Sequence, residues 1–525
     1  MLKKTPFTSV FLIIIEKILH VSGHLVGFET SQMYNVKKGG ITLSHWQPSR
    51  ESDIPLHRQI EQYIKEKILH GEWAVGTKIP SQRTLADMFQ VNRSTVTSAI
   101  DELTSQGLLE GRRGGGTKVV NSTWSVLASA PPLDWSTYVR SGIHHPNSSI
   151  IQDINKNEAR ADIIRLGTGE LSSELLPAET MRRMFQQINP HVLSLGYEQP
   201  KGNIDLREAV AEHLKTKHIN VSPSAILIVS GALQALQLIS IGLLKRDSVI
   251  LTEKPSYLHS LHVFQSAGMR LRGVPMDEEG MQAGLISAYR KQYGGQLLYT
   301  IPSFHNPTGI VMSEKRREEV VSLSKKEQLP VIEDDAYGDL WFEEQPPLPL
   351  KSMDQEGNVL YLGTFSKTVS PGLRIGWLAG PEPVVERLAD IKMQTDYGSS
   401  GLSQWAAAQW LSQGYYEEHL AWVRKELKKR RDAALQLLQQ YAGDIAEWRI
   451  PAGGFYIWVT FKKQLPVRQL FLELLKQQVL VNPGSVYDGE DRHSIRLSYS
   501  YASLQDLKIG IKAAADTARR LMTQA

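Results

Sequence analysis

Five short apolar runs constrain how this chain can fold: Ile226–Val229, Val249–Leu251, Leu297–Ile301, Val331–Glu333 and Val359–Leu362, separated by stretches with helical spacing. Strands that are apolar on both faces and alternate with helices predict a largely parallel sheet covered by helices on both sides. Ligands of such sheets sit at the carboxyl ends of the strands, and polar residues suited to chemistry follow several of these runs. "IVSGALQAL" reads as a strand, a small-residue turn and a helix start, so free backbone N–H groups at Gly231, Ala232 and Leu233 are able to hold a phosphate. An ordinary strand-to-helix turn has the same outline.

"VIEDDAY" sets Asp334 at a strand end, where it can pair with a protonated ring nitrogen, and Tyr337 where it can donate to a phenolic oxygen; a capped surface turn is the plain alternative. "YLGTFSKTVSPGLRIGW" places Lys367 after a strand, between the hydroxyls of Thr364 and Ser366 and the guanidinium of Arg374. A lysine in that company can condense with a carbonyl cofactor, although a lone lysine is usually only solvated. A phosphate turn, an acid for a pyridinium, a Schiff-base lysine and a phosphate arginine together make the set that pyridoxal 5'-phosphate requires.

On these motifs residues 161–525 resemble the fold-type I aminotransferases over essentially their whole length. The resemblance implies that Lys367 is the internal-aldimine lysine and Asp334 the partner of the pyridine nitrogen. Asn306 of "HNPTG" and Tyr337 then hold the ring 3-hydroxyl, and Tyr257 of "KPSY" stacks on the ring. Ala232, Leu233, Thr364, Ser366 and Arg374 correspond to the phosphate cup. Leu233 stands where related proteins often carry a polar residue, a departure that matters little if its backbone amide does the binding. Tyr197, in "YEQPKGNIDLREAV", corresponds to a tyrosine that reaches the phosphate of the neighbouring subunit, which implies a dimer. Arg496, in "IRLSYS", corresponds to the arginine that grips a substrate α-carboxylate as a two-pronged fork.

Upstream, residues 45–120 read as a separate small unit. Pro55 suits a first helical turn, and Leu56, Ile60, Ile64 and Ile68 share one face of a helix ending near Gly71. Ser81 is placed to cap a second helix with Leu85, Met88 and Phe89 inward. A third helix, capped by Asn92 or Ser94, buries Val96, Ile100 and Leu103 and stops at Gly107. "LLEGRRGGGTKVV" then forms a hairpin with Arg112, Arg113 and Lys118 near its tip. Helix, helix-turn-helix and wing is the order of a winged helix, and the start of its third helix would meet bases and phosphates. Charge does not decide between this and a solvated helical domain, because residues 40–120 hold ten Lys/Arg against nine Asp/Glu. The segment resembles the N-terminal domain of the GntR family of bacterial regulators. By that resemblance Arg83, Arg93, Ser94, Thr95, Thr97, Gly114, Gly115 and Gly116 are the DNA-contacting positions, while Thr117-Lys118 replaces a frequent aromatic in the wing.

The remaining segments carry less information. Residues 121–160 are rich in Ser and Pro without a sustained apolar period, and are expected to be a linker with Leu133, Trp135, Tyr138 and Val139 able to dock on a neighbouring surface. In residues 1–44 the run Val10–Ile15 is too short to span a bilayer. A charged start before an apolar stretch has the outline of a signal peptide, but no small-residue cleavage site follows closely, and a poorly ordered or mis-started extension before Met33 is the simpler expectation. The absence of cysteine removes disulfides and thiolate metal sites, no metal is expected, and the small excess of 59 Lys/Arg over 55 Asp/Glu announces neither nucleic acid nor membrane.

A GntR-type winged helix (α+β) joined by a linker to an α/β aminotransferase-like domain is the layout of the MocR subfamily. That resemblance implies a cytoplasmic, dimeric, head-to-tail regulator that binds double-stranded DNA without stable membrane association. It would sense pyridoxal phosphate, a small amino compound, or both through an aldimine at Lys367. The alternative is a working aminotransferase with an incidental head, and residual transamination is compatible with either.

Overall fold

In the computed structural model, residues 46–69, 71–112, 116–120, 135, 147–188 and 196–524 are described, and the chain divides into two compact units, residues 1–142 and 143–525. The expectations for residues 1–44, for Arg113, Gly114 and Gly115, and for 121–134 and 136–146 lie outside the described residues.

The small unit contains three helices, α1 (Leu56–Leu69), α2 (Gln82–Phe89) and α3 (Arg93–Ser105), followed by strands β1 (Leu109–Arg112) and β2 (Gly116–Val119). Ser81 caps α2 as expected, its Oγ accepting from the Thr84 N–H at 3.1 Å. Asn92 rather than Ser94 occupies the cap position of α3, and its side chain makes no capping bond. One core holds Ile60, Ile64, Leu85, Phe89, Val96, Ile100 and Leu103. Met88 departs from expectation: it is only partly buried and Ala86 is buried instead, because the inward side of α2 is centred between Leu85, Ala86 and Phe89 and Met88 falls on its flank. The hairpin pairs Leu109 with Val119 and Arg112 with Gly116. Gly116 has φ +80°, a left-handed conformation that favours glycine, while the nearby end of the Lys78 side chain could swing aside from a Cβ.

The large unit is built on an eight-stranded sheet. Its strands are β4 (Ile226–Val229), β5 (Val249–Lys254), β6 (Arg270–Asp277), β7 (Gly280–Met281), β8 (Gly295–Thr300), β9 (Val331–Asp334), β10 (Val359–Thr364) and β11 (Gly376–Ala379), in the order β4-β11-β10-β9-β8-β5-β6-β7. The five expected strands are present. The sheet is mixed, however, since β11 runs antiparallel between β4 and β10, and β7 antiparallel to β6. Helices cover both faces, with one apolar cluster that includes Ile228, Tyr299 and Leu362 and another that includes Leu251, Leu298 and Val331.

A second, four-stranded antiparallel sheet follows, made of β12 (Ala446–Trp448), β13 (Tyr456–Phe461), β15 (Asn482–Pro483) and β16 (Ser494–Ser498), while β14 (Val479–Leu480) pairs with β3 (Ile164–Arg165). Residues 149–158, expected to be linker, form a helix, α4 (Ser149–Glu158). Its spacing is short but effective: Ile151 and Ile154 lie on one face and are buried with Phe471, Leu480 and Tyr487. No helix among the described residues is long and apolar enough to cross a membrane.

Candidate cofactor site and DNA-binding head

In the head, Arg83, Arg93 and Ser94 are exposed, and Thr95 and Thr97 are partly exposed. Thr97 donates to Gln82 Oε1 at 3.2 Å, which ties α3 to the start of α2. With no side chain capping α3, its first N–H groups and the positive end of its dipole stand open beside Arg93, an arrangement that favours a phosphate. At the other end of α3 Glu61 is buried, and against the cost of burial Lys65, Gln106 and Arg58 hold it at about 2.

In the large unit, sheet order assembles the site. Because β11 lies between β4 and β10, Gly376 pairs with Val229 on one side and Thr364 on the other. The turns that follow β4 and β10 are thereby brought together, with Arg374 just ahead of β11. Gly231 has φ +89°, and a Cβ there would sit 2.7 Å from Arg374 Nη2, so only glycine lets the turn and the guanidinium approach. Arg374 itself adopts φ +53°, a left-handed conformation unusual for a side-chain-bearing residue, and donates to the Ser230 carbonyl at 2.7 Å. Thr364 Oγ1 lies 3.1 Å from Ser366 Oγ and accepts from the Ser366 N–H. The helix Ala232–Gly242 begins here, with Leu233 45% exposed in its first turn. Backbone amides, two hydroxyls and a guanidinium thus converge as a phosphate requires.

Next to this cup is a cavity of about 300 Å³ lined by Tyr257, Asn306, Tyr337, Lys367 and Arg496, among others. Lys367 Nζ donates to the Gly169 carbonyl at 2.6 Å. Asn306 donates to the Tyr337 hydroxyl at 3.4 Å, which lies 3.0 Å from that of Tyr456. Asp334, at the end of β9, accepts from the Tyr299 hydroxyl at 2.7 Å through Oδ2, while its buried Oδ1 has no partner. Burial pushes this carboxyl up to about 6, against the Tyr299 bond. An orphaned carboxylate oxygen beside a lysine, a phosphate cup and a hydroxyl–amide pair fits pyridoxal phosphate, whose pyridinium N–H would satisfy it.

Arg496 lies on β16, sandwiched between the rings of Tyr456 at 4.0 Å and Tyr487 at 4.8 Å. Nη1 donates to Asn306 Oδ1 at 2.7 Å and Nη2 to the Gly167 carbonyl at 2.6 Å, and Nε has no partner. A guanidinium has five N–H groups, so three remain for a carboxylate. Tyr197 is not in this cavity: it is 83% exposed, its ring 5.3 Å from that of Tyr397. The sequence reading missed Tyr299, Tyr456, Tyr487, Asn155 and Glu158. Tyr299 comes from β8, Tyr456 from β13, Tyr487 from the 3-10 turn before β16, and Asn155 and Glu158 from α4, so no contiguous motif joins them.

Comparison with known proteins matches this two-part geometry. Residues 56–119 match the family described as bacterial regulatory proteins, gntR family, and residues 161–513 match aminotransferase class I and II. The HTH-type transcriptional regulator YisV of Bacillus subtilis is 84% identical over 482 residues, covering 92% of this chain and all of that protein. The chain belongs to the MocR subfamily of GntR-type regulators. HTH-type transcriptional regulator NorG of Staphylococcus aureus (strain bovine RF122 / ET3-1) is 36% identical across 82% of this MocR-type chain and 97% of its own length. Among solved structures, the multiple substrate aminotransferase of Thermococcus profundus superposes with a TM-score of 0.70 at 28% identity, over 75% of this chain and all of its own. The Pyrococcus horikoshii kynurenine aminotransferase, in complex with PMP, reaches 0.68 at 31%, over 72% of this chain and 96% of its own.

Proposed function

We propose that this protein is a pyridoxal-phosphate-dependent transcription regulator: the winged helix binds double-stranded DNA and the aminotransferase-like unit senses an amino compound. The observation that carries the reading is the presence in one chain of an open recognition-helix N-terminus and a complete cofactor cradle centred on the orphaned Asp334 Oδ1. When bound, the cofactor would supply an aldehyde able to condense with primary amines, that of Lys367 among them. The chain supplies the rest. Arg374, Thr364, Ser366 and the amides of Ala232 and Leu233 would hold the phosphate; Asp334, braced by Tyr299, would keep a proton on the ring nitrogen; Asn306 and Tyr337 would orient the ring hydroxyl, and Tyr257 would pack on the ring. Arg496 receives an effector carboxylate between two tyrosine rings.

A cytoplasmic homodimer in head-to-tail arrangement belongs to this reading. Support for the homodimer is the exposed pair of adjacent rings Tyr197 and Tyr397, an aromatic surface suited to a second copy of the chain. Effector binding then shifts the balance between two arrangements of the heads on DNA. Gel-shift titration on the upstream intergenic DNA, with and without pyridoxal phosphate at fixed salt, tests the reading: saturable binding that responds to cofactor supports it, and binding indifferent to cofactor and amine refutes the sensing part.

A working aminotransferase is the second reading, favoured by the simultaneous presence of Lys367, Asp334 and the free N–H groups of Arg496. Many cycles of amino transfer per site would establish it, whereas a sensor stops after one.

A further inference from the structure

The cavity beside Lys367 has one wall that the cofactor chemistry does not use. Helix α4 turns Ile151, Ile154, Asn155 and Glu158 towards it, a single stripe at spacings of three and four residues. The two isoleucines are buried and dock the helix; the two polar residues, a turn further on, reach the cavity. Four charged side chains line the space: Lys367, Arg496, Glu158 and Glu170. Lys367 and Arg496 have the tasks given above, and Glu170 lies 4.0 Å from Arg165. Glu158 is left. Thr168 donates to its Oε1 at 3.0 Å, and no lysine, arginine or histidine pairs with it among the described residues. Tyr487, whose ring lies 4.8 Å from the Arg496 guanidinium, lines the same cavity, so the carboxylate and the guanidinium face one space.

We propose that Glu158 selects the effector: a primary amine whose carboxylate lies on Arg496 and whose second, cationic group lies on Glu158, that is, a diamino acid. This rests on the reading of the cavity as an effector site. An unpaired carboxylate on a partly enclosed wall attracts a cation by a charge-assisted bond and repels a second carboxylate, so selection works in both directions. Asn155, one turn away, offers an amide to the same distal group.

The test compares L-ornithine with L-norleucine, in which a methyl replaces the distal ammonium, on the full-length, cofactor-loaded protein and on Glu158→Gln. Glutamine keeps the oxygen that accepts from Thr168, so the substitution removes charge and little else. Equilibrium binding is read by calorimetry, after cofactor uptake has been measured from visible absorbance. The wild-type chain should prefer ornithine by about tenfold or more, the factor expected of a charge-assisted bond, and the variant by about threefold or less. Equal binding of the two ligands to the wild type, or a preference unchanged in Glu158→Gln, overturns the proposal while cofactor uptake leaves the regulator reading standing. A chain that takes up no cofactor overturns both.

Discussion

Arg496→Met is the substitution from which the site's energetics can be worked most directly. Methionine has nearly the volume of the arginine stem and can remain between Tyr456 and Tyr487, so the change removes charge and hydrogen bonds more than packing. Two acceptors lose their donor, Asn306 Oδ1 and the Gly167 carbonyl. Each buried unsatisfied group costs about 1–3 kcal/mol, and release of the cost of burying the cation offsets part of that, leaving a net loss of about 2 kcal/mol. The effect on ligand should be larger and selective. A two-pronged carboxylate bond in a buried site is worth about 3 kcal/mol, which is roughly a hundredfold in affinity. Binding of L-ornithine and of 1,4-diaminobutane, the same skeleton without its carboxylate, would be measured on both proteins, with urea unfolding alongside. Ornithine should lose roughly a hundredfold and the diamine about threefold or less. Equal losses, or none, would refute the assignment and place the carboxylate elsewhere.

Lys367→Ala should abolish the response of DNA binding to amines while leaving DNA binding itself, which gel shift reads directly; a retained response would remove the lysine from the mechanism. Ser81→Ala should cost the head about 1 kcal/mol through the lost cap of α2, seen as faster hydrogen exchange of α1–α3 amides in the full chain. In the cofactor-free protein Asp334, raised from the usual range to about 6 by burial, contributes stability that is full below pH ~4 and lost as pH rises through 6. The loss is of order 3 kcal/mol, and Asp334→Asn should flatten that part of the pH–stability curve. A curve of unchanged slope would show that Asp334 is not the titrating group.

What the sequence disclosed follows from how each element is buried. Strands β4, β5 and β8–β10 are covered on both faces, so each announces itself as a continuous apolar run. Strand β11 is four residues starting at glycine, and β6 alternates charged and apolar side chains, so neither stands out. Helix α4 reads as linker in the sequence because seven of its ten residues are not large apolar ones and serine and proline surround it. In the site, Lys367, Asp334, Asn306, Tyr337 and Arg496 sit in contiguous motifs whose chemistry is local to each motif. Tyr299 was not legible, because its value to Asp334 exists only once β8 lies beside β9, a pairing fixed by sheet order rather than by neighbouring residues. The burial of Ala86 instead of Met88 is the same lesson in the head: helical spacing names a face, and tertiary packing decides where that face is centred.

Helix α4 has two ends with different neighbours. Ten residues at 1.5 Å each make a rod about 15 Å long, stiffened by its internal hydrogen bonds. Glu158, on its last turn, borders the ligand cavity; Ser148, capping its first, continues into the segment that leads back to the DNA-binding head. Because Ile151 and Ile154 are clamped among Phe471, Leu480 and Tyr487, a displacement at Glu158 would carry the whole rod with it rather than stop at its last turn.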